Sequence, residues 1–128
     1  MKKLASEREM VSEAVNIIKE IQRQGYDTIA IICRTVEETL KVQKLLKPQI
    51  AVERMEEDME NMAFTNGVMV LPIYMTKGLE FDAVLVWNPD EVSYLASNGD
   101  AKLLYVAITR ALHELHIIYQ GNLSKLLQ

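Results

Sequence analysis

Three apolar runs set the terms for this chain: Thr28-Ile29-Ala30-Ile31-Ile32-Cys33, Gly67 to Ile73, and Ala83 to Trp87. A strand with one wet face alternates apolar and polar residues. A continuous apolar run has both faces covered, as in a parallel sheet with helices above and below. Two amphipathic stretches supply such covers. Ser6 and Glu9 fit a capping box that opens a helix with Met10, Val11, Ala14, Val15, Ile18 and Ile21 on one face and Gly25 as its stop. Thr35 and Glu38 form a second box, before Leu40, Val42, Leu45 and Leu46, with Pro48 ending that helix. Strand, polar turn and capped helix is the unit that brings binding groups to the carboxyl edge of an α/β sheet.

The remaining segments fit the same alternation. Ile50-Ala51-Val52 reads as a short strand, and Glu53 to Asn61 as an acidic, solvated connector or short helix. No His or Cys accompanies those acids to suggest a metal site. Asn66-Gly67 turns the chain into the next strand. After Trp87, Asn88-Pro89-Asp90 and Ser97-Asn98-Gly99-Asp100 are loops, and Asp100 caps a helix predicted over Ala101–Leu112. Leu115–Tyr119 is a further strand, and Asn122–Gln128 a short terminal helix. The predicted fold class is α/β, a mostly parallel sheet with helices on both faces, read as a single domain over 1–128. Within it, 1–25 forms a leading helix and 26–128 an α/β core.

Composition narrows function. The net charge is −4 with a pI near 5.2, which argues against a freestanding nucleic-acid binder, because such proteins show a basic face. Any nucleic-acid contact rests on a few local groups. No apolar run approaches a membrane span, the start Met1-Lys2-Lys3-Leu4-Ala5-Ser6 lacks a signal-peptide core, and the one cysteine, Cys33, sits in an apolar run. A cytoplasmic setting is expected, with no membrane partner.

Between the second and third apolar runs lies Thr76-Lys77-Gly78-Leu79-Glu80. Gly lets the backbone turn or approach a ligand, Lys offers a point charge, and Glu accepts from a hydroxyl. The same composition also suits a solvated surface loop. The second stretch of interest is Leu103-Leu104-Tyr105-Val106-Ala107-Ile108-Thr109-Arg110-Ala111. Arg34, just past the first run, stands at a helix start, where its charge opposes the helix dipole and calls for a compensating anion. His113 and His116 lie at a helix-to-strand join without metal-ligand spacing and read as structural; Trp87 reads as packing.

Taken together, Lys77-Gly78-Leu79-Glu80-Phe81 and Tyr105-Val106-Ala107-Ile108-Thr109-Arg110-Ala111 resemble the last two signature motifs of UvrD/Rep superfamily 1 DNA helicases. The resemblance runs from about Ile29 to Tyr119. It implies the second, C-terminal RecA-like motor domain, a three-layer α/β fold, as a piece of a longer chain. It implies Arg110 as an arginine finger toward the γ-phosphate of ATP and Arg34 as a second γ-phosphate contact. Glu80 would meet the ribose, with Gly78 and Lys77 beside the nucleotide. Such a finger contributes ~10³–10⁵ in rate in phosphoryl-transfer enzymes. Where the family has an aromatic before the position matched by Arg34, this chain has Cys33. Where the family's motif begins Thr-x-His, it has Pro72 and Tyr74. Tyr74 could stack on a base or sit in the core; Thr76 and Lys77 complete the candidate contacts to single-stranded DNA. The departure, and the short interval between Arg34 and Lys77, look more like the HelD (helicase IV-like) branch, which includes proteins acting on RNA polymerase.

No Gly-x-x-x-x-Gly-Lys-Ser/Thr occurs in the 128 residues, so the loop that cradles the β-phosphate and places Mg²⁺ is not here. The resemblance therefore implies a chain inactive alone, one half of a composite ATP–Mg²⁺ site. The other half belongs to an N-terminal RecA-like domain. A non-catalytic interaction module, with RNA polymerase as partner, is the alternative. A receiver-type signalling domain is rejected, because it needs acids where this chain has Cys33-Arg34-Thr35.

Overall fold

The computed structural model describes residues 1–53 and 67–128. In chain order its elements are β1 (Lys2–Leu4), α1 (Glu7–Arg23), β2 (Thr28–Cys33), α2 (Val36–Leu46), β3 (Val52–Glu53), β4 (Gly67–Pro72), β5 (Phe81–Trp87), α3 (Asn98–Ile108) and β6 (Ala111–Gln120). Short 3-10 turns cover Ile73–Met75 and Lys125–Leu127. Among the described residues the strands form one six-stranded sheet in the order β1-β6-β5-β2-β4-β3, and every pairing is parallel.

The unbroken apolar runs become the centre of that sheet because each feeds two cores. From β2, Ile29, Ile31 and Cys33 enter one core, with Met10, Ala14, Val15, Ile18 and Ile21 of α1 and Val42 and Leu46 of α2. The intervening Ala30 and Ile32 enter the other, with Ile73, Phe81, Tyr94, and Leu104 and Ala107 of α3. Period-two alternation thus persists, with both faces apolar. Burying one Ile or Leu side chain is worth ~1.5–3 kcal/mol, so six-residue strands covered twice form the most strongly held part of the fold. Three layers result: α1 and α2 on one face, the sheet, and α3 on the other.

Both capping boxes are present. The Ser6 and Thr35 hydroxyl oxygens accept from the N–H of Glu9 (3.2 Å) and Glu38 (3.1 Å). The return arm of each box reaches one residue beyond the cap: Ala5 N–H donates to Glu9 Oε2 (2.8 Å) and Arg34 N–H to Glu38 Oε1 (3.0 Å).

Several boundaries differ from the sequence reading. The predicted leading helix over 1–25 is a strand followed by a helix, with Lys2–Leu4 pairing in parallel beside Ile118–Gln120. Lys-Lys-Leu carries no strand pattern; the free edge of β6 selects it. Helix α3 starts at Asn98 under Ser97, whose hydroxyl accepts from Asp100 N–H (3.2 Å), so Asp100 is not the cap. It ends at Ile108 rather than Leu112, because the Thr109 hydroxyl turns back to Tyr105 and Val106 carbonyls and the Arg110 carbonyl accepts from Phe81 N–H (2.9 Å). That last bond recruits the chain into the sheet, and β6 begins at Ala111 rather than Leu115. The terminal helix predicted over Asn122–Gln128 is only the 3-10 turn Lys125–Leu127. Ser124 holds it in place: its hydroxyl donates to Tyr94 O (2.8 Å) and its N–H to Pro89 O (2.9 Å). The acidic connector expected at Glu53–Asn61 lies, beyond Glu53 itself, outside the described residues, as does Asn66.

The amino ends of β2 and β5 are tied by Asp82. Its Oδ2 accepts from Asp27 N–H (3.1 Å) and Thr28 N–H (3.2 Å), while its own N–H donates to Thr28 Oγ1 (2.9 Å). The pairing of β5 with β6 is irregular here, between Phe81 and Ala83, and His113 Nε2 comes within 3.9 Å of Asp82 Oδ1 while stacking on Tyr26 at 4.9 Å. The Thr28 N–H, aided by that of Asp27, holds the Asp82 carboxyl below the usual carboxylate range.

Two outcomes follow for stability. A carboxyl depressed in the folded state stabilises above its unfolded pKa of ~3.9, and that contribution is lost as pH falls through the folded value. Asp82→Asn is therefore expected to lose ~1–3 kcal/mol at neutral pH, with the gap to wild type narrowing in acid, as read by urea unfolding at both pH values. Gly78 has φ +80 with nothing within 4 Å of an added Cβ, so Gly78→Ala meets backbone strain alone and costs ~1–2 kcal/mol in the same measurement.

A candidate nucleotide site at the amino edge of the sheet

In a parallel sheet every strand starts on one edge and finishes on the other, so the strand ends sort the candidate residues. Phe81 opens β5 and pairs with Ala111, which opens β6. The residues just before them, Glu80 and Arg110, therefore share the amino edge. With Gly78 and Leu79 they line an open cleft of ≈ 330 Å³. Two motifs some thirty residues apart meet there because of strand register, which no local pattern encodes.

The local backbone shapes that cleft. Leu79 N–H donates to Thr76 O (3.0 Å), closing a four-residue turn whose third residue, Gly78, has the positive φ such a turn requires. Glu80 emerges exposed beyond the turn, and Lys77 is exposed within it. Arg110 follows the Thr109 cap of α3, and its Nε donates to Val106 O (3.0 Å). A guanidinium there satisfies a carbonyl of the last helical turn and lies at the negative end of the helix dipole. Among the described residues its terminal amino groups make no hydrogen bond, which leaves that side of the fork available to an external anion.

The nucleic-acid candidates divide. Tyr74 is 59% exposed in the 3-10 turn Ile73–Met75, so its ring is not core. Thr76 is fully buried, and its hydroxyl donates to Ile73 O (2.7 Å). That side chain offers nothing to a ligand. Lys77 remains a solvent-facing cation.

Arg34 is not brought to this cleft. It follows Cys33 at the carboxyl end of β2, in register with the far end of β5. At ~3.3 Å per residue, the length of β5 puts the two edges about 20 Å apart. Its anion is Asp100, at 3.4 Å; its Nε donates to Ser93 O (3.0 Å), and its guanidinium lies 5.5 Å from the centre of the Tyr94 ring. Tyr94 is fully buried, its hydroxyl has no partner among the described residues, and burial pushes its phenol well above the usual range. Burial also raises Glu38, and Asp90 adds to the effect. Cys33 is buried, and desolvation pushes its thiol up, so no base-stacking surface exists at that position.

Sequence reasoning did not single out Asp100 as the partner of Arg34, or Tyr94 and Asp82 at all. The Asp82 role carried a faint signal, an acid directly before the apolar run Ala83–Trp87; the Tyr94 role carried none. His113 stacks on Tyr26, His116 is bonded to Glu114 (3.0 Å), and Trp87 is buried. A larger groove of ≈ 480 Å³ between α1 and α2 is lined by Glu7, Arg8, Val11, Ser12, Leu45 and Gln49, far from both motifs. Among the described residues no group of three or more His, Cys, Asp or Glu could hold a metal, and no helix is long and apolar enough to cross a membrane.

Comparison with known proteins places the chain in a family. Residues 67–118, from the start of β4 into β6, match the UvrD-like helicase C-terminal domain. Among solved structures, the C-terminal domain of a possible DNA helicase from Lactobacillus plantarum WCFS1 is similar, with a TM-score of 0.84 at 33% identity over 98% of this chain and 75% of that one. A search of curated proteins finds no match. With both motifs inside the matched span and a 33% identical structural relative aligned over nearly all of this chain, the chain belongs to the C-terminal domains of UvrD-like helicases and has their RecA-like α/β fold.

Proposed function

We propose that this chain is the second motor domain of an ATP-dependent DNA helicase or translocase and lends its amino-edge cleft to a composite ATP site. The observation that carries the reading is the meeting of Gly78, Leu79 and Glu80 with Arg110 along one open cleft. An open cleft with an acid at one side and an anchored guanidinium at the other suits half of a site closed by a second domain.

The residues present fit a nucleoside triphosphate. Glu80 is an exposed acceptor for a sugar hydroxyl, and the Gly78 turn keeps side-chain bulk away from the ligand. Arg110 meets phosphate charge with a fork already fixed through Val106, so little side-chain entropy is lost on engagement. ATP, with a Mg²⁺ held by an N-terminal RecA-like domain, supplies the phosphoryl group to be transferred. In this chain Arg110 stabilises the charge on that group, and domain closure brings it into reach. Single-stranded DNA is the track, met at the start of the motif segment by Tyr74, whose exposed ring stacks without sequence preference, and further along it by the solvent-facing Lys77. The net charge of −4 leaves most of the affinity to other parts of the protein.

In the protein that joins this domain to its Walker A partner, Arg110→Ala is expected to lower DNA-stimulated ATP turnover by ~10³-fold or more, with the thermal midpoint nearly unchanged. Normal turnover in that variant would overturn the assignment and favour a non-catalytic module. Replacing Glu80 with Gln exchanges a charged acceptor for a weaker neutral one toward the sugar hydroxyl, and KM for ATP should rise about fivefold while kcat holds.

A further inference from the structure

Arg34 cannot meet the same ligand groups as Arg110 from the far edge of the sheet, yet a continuous set of contacts joins the two. The Arg34 guanidinium holds Asp100 in the first turn of α3 (3.4 Å) and the Ser93 carbonyl (3.0 Å), and lies over Tyr94. The other Asp100 oxygen accepts from Leu95 N–H (2.7 Å), so the carboxylate ties β2, the loop after β5 and the start of α3 together. From Asp100 the helix runs, with Leu104 and Ala107 buried against the sheet, to Val106, whose carbonyl fixes Arg110 Nε (3.0 Å). At ~1.5 Å per residue, α3 is about 16 Å long, enough to cover most of the distance between the edges. The same helix packs against the turn that carries Tyr74.

We infer that Arg34 and Asp100 are positioning residues for Arg110: their ion pair fixes the register of α3 along the sheet, and through it the place of the guanidinium in the amino-edge cleft. The assignment rests on the reading of Arg110 given above. Its cost is visible in the structure, because Arg34 sits at the start of α2, where a cation is disfavoured. The Asp100 carboxylate, only 14% exposed, offsets that charge. A partly buried pair held by the Ser93 carbonyl, the Tyr94 ring and the Leu95 N–H defines one geometry, whereas a solvent-exposed pair defines none.

The test compares Arg34→Ala, Arg34→Lys, Asp100→Asn and Arg110→Ala in the intact two-domain protein. If the latch positions Arg110, Arg34→Ala and Asp100→Asn lower kcat by about 10–100-fold, the effect of a displacement of ~1 Å, while KM for ATP stays within about twofold because the Glu80 side is untouched. Arg34→Lys keeps the charge and recovers part of the loss. Hydrogen exchange gives a readout independent of turnover: in Asp100→Asn the amides of α3 exchange faster, while those of β2 and β5 keep their protection. A merely structural pair would lower the thermal midpoint and leave kcat per folded molecule unchanged. Wild-type kcat and α3 protection in Arg34→Ala and Asp100→Asn, with Arg110→Ala inactive, overturn the inference and leave the functional reading standing. Normal turnover in Arg110→Ala overturns that reading first. Should Arg34→Ala fail to fold, Asp100→Asn, which keeps the side-chain shape, decides alone.

Discussion

Burial of β2, β4 and β5 on both faces is the constraint from which the rest of this structure follows. A strand whose neighbours in sequence are all apolar cannot face water on either side, so helices must cover both faces. Parallel pairing then requires each connection to return the full height of the sheet. α1 and α2 make that return over one face and α3 over the other. Between β4 and β5 the return is made by the segment 73–80, without a full helix. That segment passes over the α3 face, with Ile73 buried and Leu79 packed against the same core. The motif that looked like a loop between strands is therefore a structural crossover. Its buried members anchor it, and its exposed members, Tyr74, Lys77 and Glu80, are spread along it from one edge toward the other.

That spread joins the two edges of the sheet. At the amino edge, Glu80 and Arg110 are brought together by strand register. At the carboxyl edge, Arg34, Tyr94 and Asp100 form a partly buried polar cluster. α3 spans the interval and touches both. At Arg110 the end of a helix needs a donor for its last carbonyls, and an Arg that supplies one through Nε keeps the rest of its fork. Fixing the side chain in this way costs little, because the helix end would otherwise leave Val106 O to water.

Much of this was legible in the sequence, for identifiable reasons. The runs of β2, β4 and β5 and the capped starts of α1 and α2 depend on local pattern and local hydrogen bonds, and they fall where the residues place them. β1 and the early start of β6 depend on an available strand edge, which Lys2-Lys3-Leu4 and Arg110-Ala111 do not announce. The short last turn depends on Ser124 reaching Tyr94 and Pro89, residues some thirty positions away. For the site, motif spacing was enough to group Gly78 and Glu80. It was not enough for Arg34, whose place at the end of a buried strand looked like a ligand-facing position, while its partners lie 59 and 66 residues further along. Thr76 likewise reads as a polar site residue and proves to be buried with its hydroxyl spent on its own turn.

By itself, the sequence determined the central strands and the capped helices, that the sheet is buried on both faces, and which two motifs resemble the family's. Those are properties of short stretches, fixed by periodicity, capping and the conformational freedom of glycine. Tertiary structure alone decided which edge each candidate occupies. Strand order and register set that, and they arise from pairings across the whole chain. So Arg110 joins Glu80 at one edge, and Arg34, alike in charge and equally suggestive in sequence, is paired with Asp100 at the other.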